Sequence, residues 1–236
     1  MEDLYCWQLK FESCYYSDRL IDKIILLNKK TNDKVDVNQI KKAIYYAKKY
    51  HGTQKRLSGD PYYTHPIEVA FMVADYLFKT DILVTSLLHD TLEDTDITRE
   101  IIVCIFGNKI ADQVNYLTRI SKEQKITAAE LIESLWLQKK EDLLLVKLFD
   151  RIHNMQTIDS KPPDKQQATI CETLLTFLPM AASLSLFQIE QMFDELCFNA
   201  KIKSCNINTK VLGFDCEEYS PIMPLALAFQ SATQPK

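Results

Sequence analysis

Four histidines occur in the chain, His51, His65, His89 and His153, and acids stand close to them. His89-Asp90 directly follows Leu87-Leu88. An imidazole and a carboxylate behind two leucines in an apolar run are costly to bury unless something compensates them. A metal ion would. Helix positions three and four apart share a face. On one helix running through residue 94, His89, Asp90, Glu93 and Asp94 therefore crowd one side, and their three acids repel one another without a cation. Farther on, Asp150 ends the apolar run Leu143-Leu144-Leu145-Val146-Lys147-Leu148-Phe149, with Asn154 and Thr157 farther along its face. His65 stands at a helix start, just before Pro66. His65, His89, Asp90 and Asp150 thus make a mononuclear set of two imidazoles and two carboxylates. Such a set suits Mn²⁺, Fe²⁺ or Zn²⁺. A closed structural zinc site prefers thiolates instead. Simpler readings exist for each piece: a satisfied core pair for His89-Asp90, a helix salt bridge for Asp150-Arg151, a solvated helix end for Glu93-Asp94. The joint pattern is what points to a metal.

Composition narrows the class. Lys plus Arg number 28 against 32 acids, a net charge of −4. That balance argues against a general nucleic-acid binder. Seven cysteines, at 6, 14, 104, 171, 197, 205 and 216, form no C-x-x-C pair. Neither a disulfide framework nor a cysteine zinc site is expected, and a reducing, cytoplasmic setting is. The polar start, Met1 to Lys10, has no signal-peptide core. Thr173–Ile189 carries no charge but contains Pro179 and several hydroxyls, so it reads as a buried, kinked helix and no membrane span is expected. The apolar segment Pro221–Phe229 is shorter and interrupted by Pro224. With only 4 glycines in the chain, no Gly-rich phosphate loop can be built.

These side chains must be positioned by helices. Ile40, Ala43, Ile44 and Ala47 recur at helical spacing and predict a helix over 37–50. A polar loop follows over 51–64. Further helices are expected from His65 to Phe78, over 82–94 with Asp81 as N-cap, and over 98–106 with Gly107 as the stop. Others follow at 109–120, 126–139 and 142–158, then at 165–186 and 188–202 beyond the Pro162-Pro163 break. Strand-like runs are rare, so the fold class is all-α. The expected organisation is an N-terminal segment 1–36, a core over 37–160, a helical extension over 161–204 and an irregular tail over 205–236.

Three motifs carry a family resemblance. The first is His51-Gly52-Thr53-Gln54-Lys55-Arg56-Leu57-Ser58-Gly59-Asp60-Pro61-Tyr62-Tyr63-Thr64-His65-Pro66. The second is His89-Asp90-Thr91-Leu92-Glu93-Asp94-Thr95. The third is Lys147-Leu148-Phe149-Asp150-Arg151-Ile152-His153-Asn154-Met155-Gln156-Thr157. In order and spacing they resemble the HD-type hydrolase domain of the RelA/SpoT alarmone enzymes, over about residues 37–200. The resemblance implies an HD-domain helical bundle that removes pyrophosphate from the 3′ position of ppGpp or pppGpp, leaving GDP or GTP. By matched position it implies that His65, His89, Asp90 and Asp150 hold Mn²⁺. Glu93 and Asp94 match the acidic pair that handles the attacking water and its proton. Arg56, Ser58, Asn154 and Thr157 match substrate-contacting positions. His51 and His153 match histidines that are not ligands.

Lys55, Arg56, Lys147 and Arg151 are candidate phosphate-facing cations, though Lys147 and Arg151 also suit a solvated helix face. The chain departs from the family at Leu57, where a Lys is usual, at Asp60 in place of Glu, and at Phe149 in place of a small residue. The segment after residue 205 is too short for a nucleotide-transferring domain, so a hydrolase-only form is expected. Leu57 leaves open a phosphohydrolase of another nucleotide, such as NADPH or a deoxynucleotide. The missing synthetase region leaves open a regulatory, alarmone-binding module.

Overall fold

Leu20 and Ile24 lie one helical turn apart and are fully buried, which makes an element of a stretch where the sequence reading placed none. The computed structural model describes residues 3–121 and 124–207. Two helices, α1 (Asp3–Lys10) and α2 (Tyr15–Lys30), precede the expected core. Next comes α3 (Val37–His51), whose start is set by Asp36: its carboxylate accepts from the Asn38 and Gln39 amides at 2.8 and 3.2 Å. Ile40, Ala43, Ile44 and Ala47 form its buried face, as the periodicity predicts.

α4 (Thr64–Val73) ends earlier than the expected Phe78. The Asp75 and Tyr76 amides turn back to carbonyls only three residues away, Met72 and Val73. Lys23 Nζ takes the Phe71 carbonyl at 2.6 Å and pairs with Asp75 at 2.7 Å. α5 (Thr80–Leu88) then leads to the one-turn α6 (Thr91–Asp94). Asp81 is not an N-cap. It lies inside the first turn of α5 and accepts from Gln113 and Lys109. α7 (Arg99–Phe106) and α8 (Asn108–Leu117) meet at Gly107, whose φ of +86° only glycine adopts without strain.

A minimal hairpin, Ile120–Ser121 with Gln124–Lys125, precedes α9 (Ala128–Leu137). α10 (Glu141–Gln156) follows, and Ile158–Ser160 forms a short 3₁₀ turn after it. The last helices are α11 (Pro163–Glu172), α12 (Leu178–Ser183) and α13 (Phe187–Ile207). A wide π turn over Thr173–Phe177 joins α11 to α12, with the Leu178 amide bonding Thr173 O. Pro179 explains it: proline has no amide for an α-helical bond, and the wider turn accommodates its ring. Of the expected tail, 205–207 belong to α13, while 208–236, including Pro221–Phe229, lie outside the described residues. No helix among the described residues is long and apolar enough to cross a membrane.

The chain forms two compact units, Met1–Phe149 and Asp150–Lys236. In the first, α5 packs against α3, α4 and α8, and α2 packs against α3 and α4. Leu83, Val84, Leu87 and Leu88 of α5 are fully buried, so α5 is the central strut that carries His89. In the second, Met155, Ile158, Ile170, Cys197 and Ala200 form a small core. The fold class is all-α, as the sequence predicts.

Candidate metal centre

His89 and Asp90 do not lie within one helix. The expected single helix over 82–94 breaks there: α5 ends at Leu88, and α6 starts at Thr91. Side chains supply the physical reason. Ser86 Oγ donates to Ile82 O at 2.9 Å, His89 Nδ1 meets Ser86 O at 2.8 Å, and Thr91 Oγ1 donates to Leu88 O at 2.7 Å. The Ser86 hydroxyl only shares a carbonyl inside α5, whereas the His89 and Thr91 donors take carbonyls that the Asp90 and Leu92 amides would occupy in a continuing helix. The Asp90 carbonyl then accepts the Glu93 and Asp94 amides at 3.1 and 3.0 Å, starting α6.

The break turns the Asp90 carboxylate back onto two histidines. Its Oδ1 lies 2.9 Å from His89 Nε2, and its Oδ2 lies 3.4 Å from His65 Nε2. His65, buried near the start of α4, is held by a hydrogen bond from its amide to Tyr62 O at 3.0 Å. The two imidazole centroids are 5.3 Å apart. Asp150 comes from α10, the helix that begins at Glu141. Ligand atoms of His65, His89 and Asp150 all lie within 4.8 Å of one another. The Asp150 Oδ1 also accepts from Asn154 Nδ2 at 2.7 Å.

The donor set fits a divalent metal. His89 Nδ1 faces a carbonyl and must carry its proton there, so in the neutral ring Nε2 presents a lone pair. That lone pair faces a carboxylate oxygen at 2.9 Å. Two electron-rich atoms at that distance call for a cation, either a proton on the ring or a metal. The carbonyl bond to the far nitrogen is the outer-shell partner that metal-binding histidines usually have. His65, His89, Asp90 and Asp150 supply nitrogen and oxygen donors and no thiolate, a set open to several divalent ions.

The acidic pair is divided. The Asp94 Oδ2 accepts from the Tyr62 hydroxyl at 2.6 Å, and that hydroxyl also lies 3.2 Å from Asp90 Oδ2. Glu93 has a different partner: its Oε1 accepts the Arg119 amide at 2.5 Å, and its Oε2 lies 3.7 Å from Arg119 Nε. Tyr62 was not singled out from the sequence. Neither were Gln54, whose Nε2 donates to Asp94 O at 2.6 Å, and Arg119. Tyr62 had one available signal, its place three residues before His65 in a loop between helices.

His51 is buried and stacks on Tyr62, centroids 4.6 Å apart and planes 22° apart. Its Nδ1 meets Gln54 Oε1 at 2.9 Å, while Nε2 is buried with no partner among the described residues. Burial holds the His51 pKa below the ordinary value, against the Gln54 hydrogen bond and the negative charges of Asp90 and Asp94. His51 is thus neutral support for Tyr62 rather than a ligand.

The loop bearing Arg56 and Ser58 is a small hairpin. Lys55 pairs with Pro61, the Arg56 amide bonds Asp60 O at 2.9 Å, and Gly59 turns the tip at φ +91°. Ser58 Oγ donates to Asp60 Oδ2 at 2.8 Å, so its hydroxyl is engaged within the loop. Thr157 lies just past the end of α10 and donates to His153 O at 3.1 Å. The possible cations Lys147 and Arg151 do not form a solvated face. Lys147 is buried. Arg151 pairs with Glu172 and lies over the Phe177 ring at 4.2 Å, so its charge is already countered.

Known proteins resemble this chain in sequence and in fold. The chain is 40% identical over 173 residues to the GTP pyrophosphokinase rsh of Brucella ovis, covering 70% of this chain and 23% of that protein. It is 34% identical over 170 residues to the guanosine-3′,5′-bis(diphosphate) 3′-pyrophosphohydrolase of Escherichia coli O157:H7, covering 70% and 24%. The chain therefore spans about a quarter of the length of these curated relatives. Among solved structures, one described as a metazoan ortholog of SpoT that hydrolyzes ppGpp and plays a role in starvation responses matches with a TM-score of 0.53. It has 20% identity and covers 67% of this chain and 93% of its own, and it carries the fold. The resemblance to RelA/SpoT enzymes is borne out by these relatives. The HD-domain model matches residues 43–187, which include all three motifs. With a His-Asp pair at its centre and more than half its length matched, the chain belongs to the HD-domain family.

Proposed function

We propose that the chain is a metal-dependent hydrolase of the alarmones ppGpp and pppGpp, removing the 3′ pyrophosphate to leave GDP or GTP. The observation that carries this reading is the convergence of His65, His89, Asp90 and Asp150, with Asp94 tied to Asp90 through one tyrosine hydroxyl. Its support from relatives is the name of the Escherichia coli O157:H7 protein, a 3′-pyrophosphohydrolase of the same nucleotide.

His65, His89, Asp90 and Asp150 hold the metal, for which we propose Mn²⁺. A bound divalent ion would acidify water and draw charge from phosphate oxygens. The rest falls to the chain's own groups. Asp94 takes the proton of the attacking water, because its carboxylate lies on the Asp90 side of α6. Glu93, anchored by the Arg119 amide, helps to orient that water. Arg56, Ser58, Asn154 and Thr157 bind the nucleotide. Arg56, half-buried on the hairpin, offers a planar guanidinium that can fork a phosphate or stack on the purine. We place the activity in the cytoplasm, with no nucleic acid as partner.

A second reading has its own observation. Leu57 is 69% exposed beside Arg56, where a charged phosphate partner is absent. That favours a less charged nucleotide as substrate. Turnover by the purified chain with Mn²⁺ across ppGpp, pppGpp, NADPH and deoxynucleoside triphosphates decides between the two. Preference for ppGpp or pppGpp, with release of pyrophosphate, supports the first reading. Turnover confined to another nucleotide establishes the second. Binding of ppGpp without turnover of any nucleotide would leave a regulatory alarmone-binding module.

A further inference from the structure

The hairpin after α3 holds Asp94 from two sides. α6 is a single turn of four residues, too short to be stable by its own hydrogen bonds. Asp94 itself is exposed, and an exposed carboxylate on such a turn samples several rotamers. Two bonds from the hairpin oppose this. Gln54 Nε2 donates to the Asp94 carbonyl and the Tyr62 hydroxyl donates to its carboxylate, each at 2.6 Å.

The hairpin is itself fixed. Tyr62 N donates to Gln54 O, and Gln54 N donates to His51 O, both at 2.9 Å. The Tyr62 ring lies against the buried His51 imidazole. A tyrosine hydroxyl has one proton to give. At 2.6 Å it goes to Asp94, and at 3.2 Å Asp90 is the weaker alternative. The hydroxyl thereby keeps two like-charged carboxylates together with a donor between them.

We infer that Tyr62 is a positioning residue: its hydroxyl fixes the Asp94 carboxylate beside Asp90, in reach of the water that Asp94 deprotonates. The inference rests on the hydrolase reading above. It assigns the hairpin a part in the chemistry, not only in nucleotide binding.

Tyr62→Phe removes one oxygen and keeps the ring stacked on His51. With ppGpp and saturating Mn²⁺, kcat falls about 10–100-fold while KM stays within about 2-fold. Titration with Mn²⁺ alone shows affinity within about 3-fold of wild type, because Asp90 keeps its histidine neighbours. Asp94→Asn lowers kcat at least as far, and the double variant falls no further than Asp94→Asn, since both changes remove one unit. Amide hydrogen exchange at residues 93–95 speeds by about 10-fold in Tyr62→Phe. Multiplying kcat losses in the double variant, or kcat within about 2-fold of wild type in Tyr62→Phe, overturn the inference. Should wild type fail to turn over ppGpp, the hydrolase reading falls, and the exchange measurement still decides. Unchanged exchange at 93–95 then shows that Tyr62 does not hold Asp94.

Discussion

Asn154→Ala separates two roles for one side chain. Matched position assigns Asn154 to the nucleotide, yet its Nδ2 donates to Asp150 Oδ1 at 2.7 Å. A hydrogen bond to a charged group contributes about 1.5–3 kcal/mol. Its loss weakens the hold on the Asp150 carboxylate that donates beside His65 and His89. At about 1.4 kcal/mol per decade, Mn²⁺ affinity should drop roughly 10–100-fold. Calorimetric titration of Mn²⁺ into chelator-stripped protein reads this directly, without any nucleotide. At metal concentrations that saturate the variant, most of the kcat loss should be recovered. Unchanged Mn²⁺ affinity, with the whole effect appearing as a raised KM for ppGpp, would refute the reasoning and leave Asn154 as a substrate contact alone.

Three further outcomes follow from single side chains. The folded-state pKa of His51 lies below its ordinary 6.5, with burial as the main cause, so the unfolded chain binds this proton more readily. Its contribution to stability is therefore complete above pH 6.5 and is lost as pH falls through that value toward the folded pKa; urea titrations at neutral and mildly acidic pH should show a smaller loss for His51→Phe than for wild type. Phe149 is buried and its ring centroid lies 5.0 Å from that of Tyr76, so Phe149→Ala should cost about 3–5 kcal/mol in urea unfolding, whereas a loss under about 1 kcal/mol would mean the site collapses around the change. Leu57→Lys lies on an exposed position, so it should leave stability within about 0.5 kcal/mol and lower KM for pppGpp several-fold; an unchanged KM would remove Leu57 from the nucleotide's path.

Particular residues show what could be read from the sequence. The apolar stripe Ile40, Ala43, Ile44 and Ala47 predicted α3 because helical periodicity and burial agree there. Gly107 predicted the end of α7, because its positive φ makes glycine a local requirement. Of the candidate metal donors, His89, Asp90 and Asp150 stood out as polar groups in apolar runs, where burial needs a reason. What failed was continuity. The turn at His89-Asp90 arises from side chains of His89 and Thr91 that take helix carbonyls, and periodicity carries no sign of that competition. α2 escaped notice although Leu20, Ile21 and Ile24 recur at helical spacing, because the exposed Ile25 and Leu26 carry the apolar run round to its outer face and blur the period. Tyr62 looked like ordinary loop composition, and its role depends on a ring stack and a hydroxyl that only the folded hairpin brings to Asp94.

The central claim is that His65, His89, Asp90 and Asp150 hold a metal that the chain uses to hydrolyse ppGpp. The most direct measurement incubates ppGpp with wild type and with Asp90→Ala, each with Mn²⁺ or with chelator, and resolves the products by anion exchange. GDP and pyrophosphate should appear only with wild type and Mn²⁺, and Asp90→Ala should also fail to retain Mn²⁺. Equal turnover in chelator, or a fully active and metal-bound Asp90→Ala, would contradict the account.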